Sequence, residues 1–407
     1  MPSLDQQFVR AQFPAFAEPT LRDQCFFENA GGSYACTQVI ERLSEYYRRL
    51  KVQPYYRYPA SLETGARMDD AHQRLAGYLG VSAAEVHFGP STSQNLYVLA
   101  QALRLQLKPG DEIVVTQQDH EANQGVWRRL AGDGIVIREW AIDADSGELT
   151  LAGLEREISS RTRVVAFTQC SNILGQINPV AEICARVRAA GALSVVDGVS
   201  YAPHGFPDVA ALGADIYLFS LYKTYGPHQG LMVLRGDVLE RLGNQGHYFN
   251  GALPHKRMVP AGPDHAQIAA AAGIADYFDA LDTHHGGTAD VGRPARVRAL
   301  LAGVEATLTQ RILDALGQRS GLRLLGPVDA AHKAPTIAVD LHRIAPADAV
   351  EQLGQRGIMA AGGHFYAVRL LEAMGLDPAR GVLRLSLAHY NSHAEVDRLL
   401  TALDALK

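Results

Sequence analysis

IYLFSLYKTYGPHQGLM, from Ile216 to Met232, decides the fold. The apolar run Ile216 to Phe219 reads as a buried strand. It stops at Ser220, and Lys223 follows within one turn of chain. Gly226, Pro227 and Gly230 then bend the backbone away, and a second apolar run begins at Leu231 and ends at Leu234. A lysine held between two buried strands is poorly solvated. Desolvation favours the neutral amine, the form that attacks a carbonyl to make a Schiff base. Taken alone, this lysine is as readily a loop residue that snorkels to solvent.

The chain before it alternates in type. EVHFG ends a short strand at Gly89, and PSTSQN leads into the helical run LYVLAQALRLQL. Ser91, Thr92 and Ser93 sit at that strand-to-helix turn. They are either ordinary N-caps or, with the free N–H groups and positive dipole end of the helix, a seat for phosphate. The runs DEIVVTQQ, IVIREW, RVVAFTQC and ALSVVDG are four more strands, each separated from the next by a helical segment. This order predicts a mostly parallel sheet covered on both faces. Such sheets bind ligands beyond the carboxyl ends of their strands. His120 follows one strand, Asn172 a second, Asp197 ends a third and Lys223 follows a fourth. Four chemically capable residues at four strand ends can converge on one crevice. A carboxylate at the end of the apolar run VVD needs a partner, either backbone or a cationic ring nitrogen.

Composition excludes several other classes. The 407 residues are 47% hydrophobic and 20% charged, with a net charge of -5. There is no basic stripe for nucleic acid, no amphipathic or membrane-spanning run, and no apolar centre for a signal peptide in MPSLDQQFVRAQFPAF. Cys25, Cys36, Cys170 and Cys184 lack metal-like pairing and read as reduced core thiols of a cytoplasmic protein.

Upstream, FFENAGGSY (Phe26 to Tyr34) places small residues where Ala30 and Gly31 let a ligand approach the backbone, or make a plain turn. In KVQPYYRYPAS, Tyr55, Tyr56 and Arg57 line a pocket or pack on a neighbour. After Lys223 the alternation breaks. NQGHYFNGALPHKRMVPAGPDH is irregular, a helix covers Ala266 to Leu281, and a long helix near Pro294 to Gly317 opens an α+β region. That region reads as strands GLRLLG, PTIAVDLH and VLRLSLA, a loop AAGGHFY, and helices Ala347 to Arg356 and Ala394 to Leu406. The division expected is an N-terminal arm over 1–25 packing with the small domain, a large domain over 26–290, and the small domain over 291–407. Arg384, inside an apolar strand, calls for a carboxylate partner, structural or substrate.

With these residues assembled, the chain resembles the class V aminotransferase-like pyridoxal phosphate enzymes of fold type I, the group of cysteine desulfurases, selenocysteine lyases and isopenicillin N epimerase. The likeness runs from FFENAGG to LRLSLAHYNSHAEVDRLL. It implies an α/β fold with a seven-stranded-type, mostly parallel sheet, a small C-terminal α+β domain, and pyridoxal 5'-phosphate as cofactor. SLYKTYGPHQG is similar to the family's Ser-Gly-His-Lys segment, which makes Lys223 the Schiff-base lysine and Ser220 a phosphate ligand. VVDGVSYAPH makes Asp197 the partner of the pyridine nitrogen. DHEAN supplies the ring-stacking His120, SNILGQINP supplies Asn172, STSQN the phosphate ligands Thr92 and Ser93, and LRLSLAHYN the substrate-carboxylate arginine, Arg384. A small amino acid as substrate and a homodimer follow, the irregular stretches Lys51 to Ser61 and Gly243 to His265 facing a partner.

The departures are equally specific. Ser200 stands where the family has glutamine, Tyr222 replaces the histidine before the lysine, and Pro263 replaces a threonine that reaches a neighbouring subunit's phosphate. The related desulfurases carry Gly-His-His-Cys-Ala where this chain has Gly363-His364-Phe365-Tyr366-Ala367. Tyr366 therefore occupies the place of the sulfur-accepting cysteine and borders the substrate, and no cysteine follows Cys184. The expected chemistry is a Cα carbanion carried on to β-elimination, C–S cleavage or epimerisation. The alternatives are a cysteine desulfurase, an aminotransferase, or an inactive binding protein on the same fold.

Overall fold

The computed structural model describes residues 4–260 and 262–406. Seven strands form its main sheet: β1 (Val86–Gly89), β2 (Glu112–Thr116), β3 (Val136–Trp140), β4 (Thr162–Thr168), β5 (Leu193–Asp197), β6 (Ile216–Ser220) and β7 (Gly230–Leu234). Their order is β1-β7-β6-β5-β4-β2-β3, and only β7 runs against the others. The expected mostly parallel sheet is therefore present.

Its strands are apolar almost throughout because both faces are covered. Along β6, Ile216 and Leu218 face one core with Ile113, Val115 and Val195, whereas Tyr217 and Phe219 face another with Val114, Val165 and Val196. That alternation is the period of two of a strand pleat. The first core is closed by helices Thr92–Arg104 and Ala122–Arg128, the second by Pro59–Leu79, Val180–Ala189 and His265–His284. Helix His265–His284 is buried on nearly every side, and Gly273 lets helix Thr37–Glu45 approach it. A Cβ at Gly273 would lie 2.6 Å from the Val39 amide nitrogen.

A second, antiparallel sheet consists of β8 (Leu322–Leu325), β9 (Thr336–Leu341), β10 (Ala361–Gly363) and β11 (Val382–Ser386), in the order β10-β11-β9-β8. Helices Pro346–Gly354 and His393–Asp404 cover it. The long helix Arg293–Gly317 crosses from one body to the other. Val297, Leu300 and Leu301 pack into the main core, and Leu308, Ile312 and Leu313 into the core of the second sheet. The N-terminal arm also touches both. Arg10 pairs with Glu395 at 3.0 Å, Phe8 stacks on His284, and Phe13 packs among Tyr225, Tyr277 and Tyr390.

Helix Pro59–Leu79 begins at a proline, whose fixed φ suits the first helical position. One local expectation is corrected. The AAGGHFY segment is not wholly a loop. Ala361 to Gly363 pair with β11 as an edge strand, and a short helix, Val368–Ala373, follows. Two glycines give no side-chain alternation to read, so that strand carried no pattern.

Candidate active site

The crevice opens at the carboxyl ends of β4, β5 and β6. At one end of it, helix Thr92–Arg104 starts beside Ser220. Ser91 caps the helix, accepting from the Gln94 amide at 3.1 Å, and the Thr92 and Ser220 hydroxyls lie 2.7 Å apart in a buried contact. Gly230 makes this approach possible, since a Cβ there would sit 2.4 Å from the Thr92 nitrogen. The remaining first-turn N–H groups have no partner within the helix, and the dipole end is positive, so the corner suits a phosphate. Ser93 is exposed on the first turn, whereas Thr92 and Ser220 are buried.

At the other end stands Asp197, 4% exposed, whose carboxylate accepts one hydrogen bond, from the Val199 amide at 2.8 Å. Burial pushes its pKa up to about 6, against the pull of Lys223. Lys223 makes no hydrogen bond among the described residues. Burial and then Arg384 bring its amine down to about 8, while Asp197 and Glu28 push it back. Its ammonium lies 5.9 Å from the Tyr222 ring centre, and Tyr222 stacks on His228. Asn29, Ala30 and Ser200 line the same narrow crevice as Lys223.

His120 follows β2. Its Nδ1 accepts from the Ala122 amide at 3.0 Å, and burial followed by the charges of Lys223 and Arg384 lowers it to about 4. The ring is therefore neutral at physiological pH and offers a flat, uncharged face. Beside it, fully buried Asp119 accepts from Thr116 and, at 2.7 Å, from Asn123, and anchors the turn that presents His120. Asn172 donates to the Phe365 carbonyl at 2.9 Å, and its Oδ1 is buried without a partner, an acceptor held in reserve for a ligand hydroxyl or amine.

The second sheet contributes Arg384, 3% exposed. Its Nη2 meets Glu28 at 2.7 Å, its Nη1 donates to the Asn172 carbonyl at 3.1 Å, and its guanidinium lies 3.8 Å from the centre of the Phe365 ring. The carboxylate partner that the sequence called for is thus Glu28, one residue before the Asn29-Ala30-Gly31 turn. The Ala30 N–H is spent on Ser386 at 2.8 Å, and Glu28 fills the space above Gly31. Phe365 and Tyr366 both adopt positive φ, 48° and 58°. Tyr366 is 65% exposed, its ring centre 5.2 Å from that of His120, and its carbonyl accepts from the Glu121 amide.

Sequence reasoning missed Glu28, Asp119 and Phe365. An acid on a turn reads as a solvated side chain, and nothing local says that it points inward. The structure brings His120, Asn172, Asp197, Lys223 and Arg384 together, with Thr92 and Ser220 at the phosphate corner. Ser93 and Tyr366 stand at its rim. A cavity of about 820 Å³ lies elsewhere, lined by Tyr55, Tyr56, Lys256 and Pro263 from the two irregular stretches and by His72 and His87. Among the described residues no His, Cys, Asp and Glu cluster is arranged to hold a metal ion.

A buried carboxylate with a vacant face, an unpaired amine of lowered pKa, a neutral imidazole and a hydroxyl-rich helix start define a site for a phosphorylated, cationic aromatic aldehyde. Pyridoxal 5'-phosphate has each of these features, and the residues fit it. The comparisons agree. The Aminotransferase class-V family matches residues 25–258 and 299–399, and the chain belongs to that family. The chain is 35% identical to Aminotransferase-like protein FGM3 of Gibberella zeae, with 97% of each chain covered. It is 32% identical to a probable cysteine desulfurase of Pseudomonas putida, covering 97% of this chain and 96% of that one. Among solved structures, the cysteine desulfurase CsdA of Escherichia coli superposes with a TM-score of 0.83 at 25% identity, covering 99% of this chain and 98% of that one. The protein is a pyridoxal phosphate-dependent enzyme of this family.

Proposed function

We propose that the protein acts on a small amino acid at Cα and carries the reaction on to β-elimination, of the C–S lyase type, or to epimerisation, without storing sulfur on a protein thiol. The observation that carries this reading is the state of the thiols. Cys25, Cys36, Cys170 and Cys184 are all buried. Burial raises Cys25 and pushes Cys36 and Cys170 up to about 12 and Cys184 to about 11, so none is an available thiolate. The loop tip beside the site carries Tyr366, whose phenol does not accept sulfur.

The chain's own residues divide the work. Thr92, Ser220 and the helix N-terminus hold the phosphate, with Ser93 at the entrance, and Ser200 closes the crevice beside Lys223. Bound there, the cofactor supplies an electron sink for charge developing at the substrate Cα. The Asp197 carboxylate would keep a ring nitrogen protonated by its charge, His120 would offer the ring a neutral face, and the Asn172 amide would meet the ring hydroxyl. The Lys223 Nζ would be the point of covalent attachment and then the base for the Cα proton, for which a pKa near 8 is well matched. Arg384 fixes the substrate carboxylate, which aims the Cα–H bond. Ala30 and Tyr366 border the substrate.

A homodimer is part of the same reading. The irregular stretches around Tyr55 and Tyr248 expose Tyr56, Tyr58, Phe249 and Leu253, and both line the large cavity, a surface apolar enough to pack on a second chain. The four unpaired cysteines favour a reducing, cytoplasmic setting. No helix of the described residues is long and apolar enough to cross a membrane.

The test is a screen of the holoenzyme against small amino acids, reading pyruvate, ammonia, sulfide and stereochemistry together, with mass spectrometry of the protein after cysteine turnover. Free sulfide or a changed stereocentre with no mass gain supports the reading. One added sulfur on a cysteine, lost with activity when that cysteine becomes serine, restores the desulfurase that the relatives' names favour. Inertness toward every amino acid would leave an inactive binding protein.

A further inference from the structure

Arg384 is already in use. A guanidinium this buried is costly without a counter-charge, and in the site as it stands Glu28 supplies it at 2.7 Å. The two residues come from distant parts of the chain, and the backbone on either side of Glu28 is fixed. The Phe27 amide donates to the Met359 carbonyl at 2.8 Å, the Asn29 side chain donates to the Ser386 carbonyl at 2.9 Å, and the Ala30 amide donates to the Ser386 hydroxyl. The side chain itself is held only at its tip, by Arg384, and is 29% exposed. Its carboxylate rests over Gly31, where a Cβ would come within 2.1 Å of an oxygen. The φ of Gly31 does not call for glycine. What calls for it is the room that the Glu28 carboxylate takes.

On the far side of the guanidinium the Nε is buried and unpartnered, and the face is covered by Phe365. One cation therefore serves two anions in turn. We infer that Glu28 is a resident competitor for Arg384, a carboxylate that an incoming substrate carboxylate must displace, and that it thereby sets how tightly carboxylate ligands bind. This inference rests on Arg384 as the carboxylate-binding residue. Glu28 swings about its own side-chain bonds, toward the solvent it already touches, and the fixed backbone of residues 27–30 does not follow. The substrate carboxylate gains the fork that Glu28 gives up, and the affinity observed is the difference between the two pairings. Glu28 is in this sense a specificity-determining residue and touches no reacting atom.

The experiment is calorimetric titration of the holoenzyme with propionate, a carboxylate with no amine to react at the cofactor. Parent, Glu28→Gln, Glu28→Asp and Arg384→Leu proteins are compared. Losing a charge-assisted competitor predicts roughly tenfold tighter propionate binding in Glu28→Gln, with a smaller gain in Glu28→Asp, which is one methylene too short to reach. Propionate should also raise the Tm of Glu28→Gln more than that of the parent, because it refills an unpaired charge. With amino-acid substrates the same variant should lower KM and leave kcat nearly unchanged. Arg384→Leu should bind no propionate. Unchanged or weaker binding by both Glu28 variants overturns the competitor. Parent-like binding by Arg384→Leu instead overturns the assignment of Arg384, and the two failures are distinct. Should Glu28→Gln not fold, Glu28→Asp decides alone.

Discussion

The strand ends around Lys223 and the loop that carries Tyr366 enclose one crevice but are built by opposite means. Ser220, Asp197 and His120 end or follow strands of the main sheet, and the strand residues behind them are buried, Leu193 alone only in part. Their positions are set by a ladder of backbone bonds and two cores. Tyr366 stands on a turn with two successive positive φ values, beside a three-residue edge strand, and is mostly exposed. The first region is rigid and holds groups whose pKa values burial has moved. The second is strained, open and tied by single contacts such as Asn172 to the Phe365 carbonyl. A cofactor is the same molecule in every turnover and is best gripped by what does not move, whereas the substrate must enter and leave. On the function proposed above, the class of chemistry resides in the strand ends, and the choice of substrate and outcome in the loop and in the Glu28–Arg384 pair.

This contrast is breakable by mutation. Lys223→Ala should give the largest effect, a loss of turnover of roughly 10²–10⁴-fold from the missing base alone, with no covalent cofactor adduct after borohydride. Parent-like turnover would remove the strand ends from the chemistry. Asp197→Asn should keep the cofactor loosely bound and slow Cα deprotonation by roughly 10²–10³-fold, read as exchange of the Cα proton for deuterium. Arg384→Leu should act mainly on KM, by roughly 10–100-fold, the worth of a charge-assisted bond. If it altered kcat alone, the second region would share in the chemistry and the contrast would blur.

A smaller effect sharpens the claim that burial has moved the pKa values of the strand-end groups. The Asp197 pKa is raised from 3.8 to about 6, so the folded apoprotein binds a proton more readily than the unfolded chain. Stability is then unaffected below pH 4, falls as pH rises through this window, and is lower by about 3 kcal/mol above pH 6. Asp197→Asn keeps the bond from Val199 and removes the charge. The apo variant should thus melt above the parent at pH 7, by up to that amount less the lost attraction to Lys223, and with the parent near pH 4. Equal Tm values at both pH values would show a well-solvated carboxylate. Least demanding is light scattering, which should give twice the chain mass, and a Phe249→Ser, Tyr248→Ser double variant should shift the protein toward monomer.

Most of the strand-end crevice was legible in the sequence because strands announce themselves. VVDG, SLYK and DHEAN each join an apolar run to a polar residue, and the order of runs places those residues at strand exits. The partners that tune them were not. Glu28 and Arg384 lie 356 residues apart, and no pattern along the chain joins them. The edge strand Ala361–Gly363 was hidden by its glycines, and Tyr366, expected at the substrate, stands at the rim.

By itself, then, the sequence determined the alternation of elements, the seven strands, the lysine between β6 and β7 and the lack of any cysteine beyond Cys184, because periodicity and residue identity are local properties of a chain. Tertiary structure alone decided that Arg384 is paired with Glu28, that burial drives Lys223 and Asp197 toward each other's pKa range, and that the long helix Arg293–Gly317 joins two cores. Each of those depends on which surfaces meet and how much water is left between them, and solvation is fixed only when the chain has closed on itself.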